Sequence, residues 1–173
     1  NTTKIGVSNM LAELMTKGTK NKTPEQLENA IESLGATIKA YSTDEGIFIS
    51  GNSLAKNYKA TIALVEEIIL QPRWDLKEFD LIKQSTLSQI QQQKADPNSI
   101  ARNEFKKLIY GKESILSYNR TGDENSVKSI AIDDLKKYYN SNFSPSVSIF
   151  QIVGAVSKNE VTSSLATLNK NWT

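Results

Sequence analysis

An α+β fold, with a small, mixed but largely antiparallel sheet covered by helices, is what this sequence of 173 residues predicts. Three observations lead there. Residues 36–43 and 46–52 alternate apolar and polar side chains with period two, on either side of Asp44-Glu45-Gly46. Around them lie longer stretches with apolar residues at helical spacing, several of them introduced by capping signals. At 38% hydrophobic and 23% charged, the chain can bury roughly 70% of the surface its unfolded form exposes, without a metal or disulfide to hold it.

The elements follow in order. Ile5, Val7, Met10, Leu11, Leu14 and Met15 recur at helical spacing and Gly18 follows as a terminator, which predicts a first helix. Thr23-Pro24-Glu25-Gln26 supplies an N-cap, a proline at the first helical position and a reciprocal capping glutamine. Leu27, Ile31 and Leu34 make the inner face of that second helix, and Gly35 ends it. In the hairpin that comes next, Ile38 and Ala40 face one way and Lys39 and Tyr41 the other; on the return strand Ile47 and Ile49 oppose Phe48 and Ser50.

A helix over 56–70 is stopped by Pro72, and Asp75 with Glu78 opens another that runs to about residue 94. Residues 98–110 read as a helix and 111–126, with Gly122-Asp123, as a long loop. Asp133 is expected to cap a short helix through Tyr139. Residues 146–153 are the most strand-like run in the chain, and Ser157 to Glu160 opens a last amphipathic helix carrying Val161, Leu165, Leu168 and Trp172. No repeat, low-complexity tract or linker interrupts the pattern, so residues 1–173 read as a single domain. The abrupt start at Asn1-Thr2-Thr3, with no initiator Met, reads as a piece of something longer.

Composition excludes several chemistries. The chain has no cysteine and no histidine, which removes disulfides, thiol nucleophiles, imidazole acid–base catalysis and the usual zinc ligand sets within these residues. The net charge of +2 rests on lysines, with only Arg73, Arg102 and Arg120 to offer planar forks, so nucleic acid is not an expected partner. Apolar runs are too short and too charged to span a bilayer. The acidic pairs Asp44/Glu45, Glu66/Glu67 and Asp133/Asp134 read as solvated charge, because adjacent residues do not face each other on a helix or strand. The lysine-rich, asparagine-rich composition is compatible with a bacterial protein of periplasm, cell envelope or cytoplasm and does not choose among these.

The stretch GVSNMLAELMTKGT, residues 6–19, resembles the zinc helix of the pitrilysin-like M16 metallopeptidases, where H-x-x-E-H is followed by apolar residues and Lys-Gly-Thr. Further along, TPEQLENAIESLGATIK, Gln71-Pro72-Arg73-Trp74 with Glu78-Phe79, residues 129–143, and Ile152-Val153-Gly154-Ala155-Val156 resemble successive segments of the same family. The matches run in order over nearly the whole chain.

The resemblance implies two zinc-binding histidines with a water-activating glutamate between them, and a second ligand glutamate on a later helix. Laid on this sequence, the first set falls on Asn9, Ala12 and Glu13, and the second on Ser88 and Gln89; none is the expected residue. Glu13 lies about 100° round the helix from Ala12 and does not replace the missing base. The expectation is therefore a catalytically inactive domain of an M16 zinc protease, with no metal of its own and zinc only in the active half, in the same chain or in a partner subunit. The resemblance also makes Lys39, Ala40, Tyr41 and Ser42 an edge that pairs with an extended peptide, which needs backbone rather than particular side chains; the alternative is an ordinary hairpin strand. A non-enzymatic scaffold or interaction module of the same fold, or a homo-oligomer of the fragment, are the other readings. The family's domain is longer at both ends, so uncovered sheet edges are expected to be buried against a neighbour.

Overall fold

In the computed structural model the described residues are 4–172; the Asn1-Thr2-Thr3 start lies outside them. The first helix, α1 (Val7–Met15), follows Gly6, whose carbonyl accepts the Met10 N–H at 2.9 Å. Met10, Leu11, Ala12, Leu14 and Met15 are all at most 1% exposed, so this helix is buried on more than one face. Gly18 closes the segment at φ +97°, where a Cβ would stand 2.7 Å from the Lys22 carbonyl.

The second helix, α2 (Pro24–Ser33), has the capping box its sequence announces: Thr23 Oγ1 accepts from the Gln26 N–H, and the Gln26 side chain accepts from the Thr23 N–H. Strands β1 (Thr37–Ser42) and β2 (Ile47–Asn52) form a two-stranded sheet with the alternation expected, Ile38 and Ser42 buried and Lys39 and Tyr41 exposed. Its turn closes with the Thr43 N–H donating to the Gly46 carbonyl at 2.7 Å. The sheet of the described residues is this small antiparallel pair, in keeping with the α+β class the sequence predicts.

A 3-10 turn (Ala55–Asn57) leads into α3 (Tyr58–Leu70), then α4 (Leu76–Ala95) and α5 (Pro97–Tyr110). Asp75 caps α4 by accepting from the Lys77 and Glu78 N–H groups, and Asp96 caps α5 through Ser99. The supposed loop over 111–126 contains structure: a 3-10 turn (Ile115–Ser117) and the start of α6 (Glu124–Ser129), opened by an Asp123/Ser126 capping box. Gly122-Asp123, read as punctuation, is a helix start. Helix α7 (Ile132–Asn142) begins before Asp133, and the cap contact belongs to the other acid, since Asp134 accepts the Ala131 N–H at 2.8 Å while Asp133 pairs with Lys136.

Residues 146–153 are not a strand. Only a 3-10 turn (Pro145–Val147) forms, and Val147, Ile149 and Val153 are 75%, 86% and 102% exposed. A strand exists only in a ladder; among the described residues none pairs with this run, so its β propensity is not realised. The last predicted helix is two, α8 (Lys158–Ser164) and α9 (Ala166–Asn171), broken at Leu165 after the Ser157/Glu160 capping box.

The chain falls into two discontinuous compact units. The first takes the described parts of Asn1–Leu14, Tyr41–Phe48 and Asp75–Tyr138; the second takes Met15–Ala40, Ile49–Trp74 and Tyr139–Thr173 as far as described. In the first, α4 packs on α5 and α6, and Phe79, Ile82, Ile90, Val127, Ile130 and Leu135 are buried. Lys83 caps the end of α6 by donating to the Lys128 and Ile130 carbonyls, at 2.8 and 2.7 Å. Glu124 accepts from Lys128 and Lys94, which hold its carboxyl down at about 2. In the second unit α3 packs on α8 and α9, and Leu27, Leu64, Ile68 and Ile69 are buried.

Candidate functional site

The positions that the zinc-helix resemblance singles out all lie in the first unit. On α1, Asn9 and Glu13 are half-buried and Ala12 is 1% exposed, its methyl taking part in the packing of a helix that carries Met10, Leu11 and Leu14. On α4, Ser88 and Gln89 are exposed beside buried Ile90. Zinc asks for imidazole, thiolate or carboxylate donors converging at about 2 Å. The one carboxylate, Glu13, with a methyl, two amides and a hydroxyl at the other positions does not meet that requirement, and among the described residues no group of three or more His, Cys, Asp or Glu side chains could hold a metal ion. The donors present do not fit zinc.

The candidate peptide edge has a different character. Along β1, Lys39 and Tyr41 present their side chains to solvent, Ala40 is half-buried and Ser42 is buried. Tyr41 stacks on Phe48 across the ladder, ring centroids 5.7 Å apart and planes within 10°, which stiffens the outer face of the hairpin. At its end, the Ser42 hydroxyl donates to Ser8 Oγ at 2.9 Å, and Arg120 Nη1 donates to the Ser42 carbonyl at 2.8 Å. Arg120 Nε also lies 3.4 Å from Asp44 in the hairpin turn. One guanidinium therefore fastens both the strand end and the turn.

Sequence reasoning missed Arg120, because it sits in the stretch read as loop. The available signal was its rarity: it is among only three arginines and stands two residues before Gly122. At Gly122 φ is +86° and a Cβ would lie 2.4 Å from the Ile5 carbonyl, so the backbone beside Arg120 is held by a close approach that only glycine allows.

The acidic pair on α3 is also more specific than surface charge. Glu67 accepts from Thr19 Oγ1 and from Lys22 Nζ, both at 2.5 Å. Burial alone would raise its pKa, but those hydrogen bonds and the Lys22 charge bring it below the ordinary value, while burial raises that of its neighbour Glu66. Thr19 is fully buried, so this cluster pins the loop that follows α1 onto α3.

Comparison with known proteins agrees with the resemblance. The family model described as Insulinase (Peptidase family M16) matches residues 1–117. "Uncharacterized zinc protease YmxG" of Bacillus subtilis is 21% identical over 152 residues, 88% of this chain and 37% of the relative. Among solved structures, one described as the peptidase M16 inactive domain from Pseudomonas fluorescens superposes with a TM-score of 0.71 at 22% identity, covering 78% of this chain and 33% of that one. A protease from Helicobacter pylori gives a TM-score of 0.87 at 20% identity, over 99% of this chain and 42% of its own. The chain thus spans about a third of the length of the curated relatives it matches.

Proposed function

We propose, from the premise that the chain belongs to the insulinase family of zinc peptidases (peptidase family M16), that it is a non-catalytic domain which helps a zinc-bearing half to form a peptide-binding chamber. The observation that carries this is the donor set. Where the family's zinc helices are expected, α1 offers Asn9, Ala12 and Glu13 and α4 offers Ser88 and Gln89, in a chain without histidine or cysteine. Support comes also from the solved structure described as an M16 inactive domain, whose fold this chain shares. Zinc, water activation and bond cleavage belong, in this reading, to the other half, in the same polypeptide or in a partner subunit.

The part left to this chain is to hold the peptide. Backbone pairing along Lys39, Ala40, Tyr41 and Ser42 is independent of metal, and the Tyr41–Phe48 stack and the Arg120 contact tie that strand to its neighbours. The test is titration of the isotope-labelled chain with an extended ten-residue peptide and with its backbone N-methylated counterpart, followed by NMR. Saturable shifts at the amides of Lys39 to Ser42, lost on N-methylation, are expected. Equal binding of both peptides, or shifts elsewhere only, would leave a scaffold of the same fold as the better description.

A further inference from the structure

Helix α5 is amphipathic, but its apolar stripe is turned outward. Asp96 caps it through the Ser99 N–H, Pro97 stands at the first helical position and Gly111 ends it at φ +80°, so local chemistry fixes where it starts and stops. Among its 14 residues none is buried, although it packs on α4 and on the 3-10 turn (Ile115–Ser117). The residues it partly covers, Asn103, Lys106 and Lys107, are polar. Phe105, Leu108 and Ile109, at i, i+3 and i+4, are 61%, 84% and 57% exposed. A surface helix ordinarily faces such a stripe to the core; here it faces water.

The stripe does not end with the helix. Ile115 and Leu116, on the 3-10 turn packed beside it, are 61% and 45% exposed. Together these five side chains leave roughly 500 Å² of apolar surface in water, at the upper end of what a monomeric protein shows. The charge around them is nearly balanced. Glu104 pairs with Lys107 at 2.6 Å, and Asp96 is held below its usual carboxylate range chiefly by Ser99 and more weakly by Arg102. From Asp96 to Glu113 there are four cations and three carboxylates. A partner selected by strong charge of either sign, or an anionic lipid surface, finds little to attract it here.

We propose that this face is a two-fold interface, on which a second copy of the chain seats its own α5. Ala101, Phe105 and Ile109 form an i+4 ridge, and Leu108 stands beside that ridge as the most exposed residue of the stripe. Two such helices packed antiparallel, ridge into groove, bring the two Leu108 side chains together near the axis and set Phe105 of each copy against Ile109 of the other. With the turn carrying Ile115 and Leu116 and the polar rim included, each copy covers about 800 Å², the size of a stable interface. A rim so close to neutral puts little like-charge repulsion across the axis. The pairing is distinct from the strand edge of β1 and requires no peptide there.

Sedimentation velocity of the whole chain, from about 1 to 500 µM, tests the pairing. The 19.2 kDa chain is expected to pass from monomer to dimer with Kd on the order of 10 µM. Leu108→Glu, at a side chain already in water, is expected to weaken the dimer about tenfold or more with Tm unchanged. Val153→Glu, at a fully exposed position outside the stripe, is expected to leave the dimer intact. Because the chain has no cysteine, Leu108→Cys reads the symmetry: mild oxidation is expected to link two copies through that residue, and Asn169→Cys, exposed on α9, to give no such product. A chain that stays monomeric at the highest concentration, a dimer unmoved by Leu108→Glu or lost with Val153→Glu, or no linked product from Leu108→Cys would each overturn the proposal. So would binding of the monomer to phosphatidylserine vesicles that Leu108→Glu abolishes. The β1 titration described above is read at different residues, so either proposal can fail without the other.

Discussion

The Ser42 hydroxyl donates to the Ser8 hydroxyl at 2.9 Å, which ties the last residue of β1 to the first turn of α1. The Ser42 carbonyl is taken by Arg120, so hairpin and helix are held at one point by groups from three distant parts of the sequence. Arg120→Ala leaves that carbonyl without its charged donor and frees Asp44. A loss of about 1–2 kcal/mol is expected in denaturant melts with an unchanged m-value. A loss below the error of the melts would mean that solvent replaces the guanidinium without cost.

Ala12 is 1% exposed, in the middle of a helix on which Met10, Leu11, Leu14 and Met15 are equally buried. Ala12→Glu, the change that would restore the family's base at this position, buries an unpaired carboxylate and overpacks the site. Destabilisation of about 3 kcal/mol or more is expected by thermal or chemical melting. A neutral outcome would place this residue at an open cavity instead of in the core.

The folded-state pKa of Glu67 lies below its ordinary value of 4.5. A depressed carboxylate contributes stability that is fully present above its unfolded pKa and is lost as pH falls through the folded one. The Thr19–Glu67–Lys22 cluster is therefore expected to hold at neutral pH and to weaken progressively from about pH 4.5 downward. Glu67→Gln keeps a hydrogen-bond acceptor but no charge; it is expected to cost about 1–3 kcal/mol at pH 7 and less at acid pH, for example pH 3. Equal destabilisation at both pH values would show that the lost shape, not the lost charge, matters.

Residues 149–153 make no ladder among the described residues, and Val153 is fully exposed. Their amides are expected to exchange with deuterium at nearly unprotected rates, while Met10 to Leu14 exchange only on global opening. Strong protection at 149–153 would mean that a partner strand is present in solution.

That segment also shows what a sequence reveals and what it does not. Capping signals are local chemistry, and Thr23-Pro24-Glu25-Gln26, Asp75 and Ser157 each lie where their side chains bond the first turn of a helix. Period-two alternation around Asp44-Glu45-Gly46 gives a hairpin because the two strands are each other's partners. For 146–153 the pattern is equally strand-like, but pairing is a tertiary matter, and propensity alone leaves the chain irregular. Asp123 was hidden by the glycine before it, and Arg120 by the absence of periodicity around it. On the candidate site, residue types alone show that Asn9, Ala12, Ser88 and Gln89 lack zinc donors. The Ser8–Ser42–Arg120 tie, made across the fold, has no local signature.

The central claim is that this chain keeps the fold of a zinc peptidase family while its own residues hold no zinc, and calorimetric titration of the metal-free chain with zinc tests it most directly. No binding tighter than about millimolar is expected, with no zinc-dependent rise in Tm and no cleavage of an unstructured peptide. Stoichiometric binding at micromolar zinc or tighter would contradict the claim and would mean that carboxylates of this chain assemble a metal site.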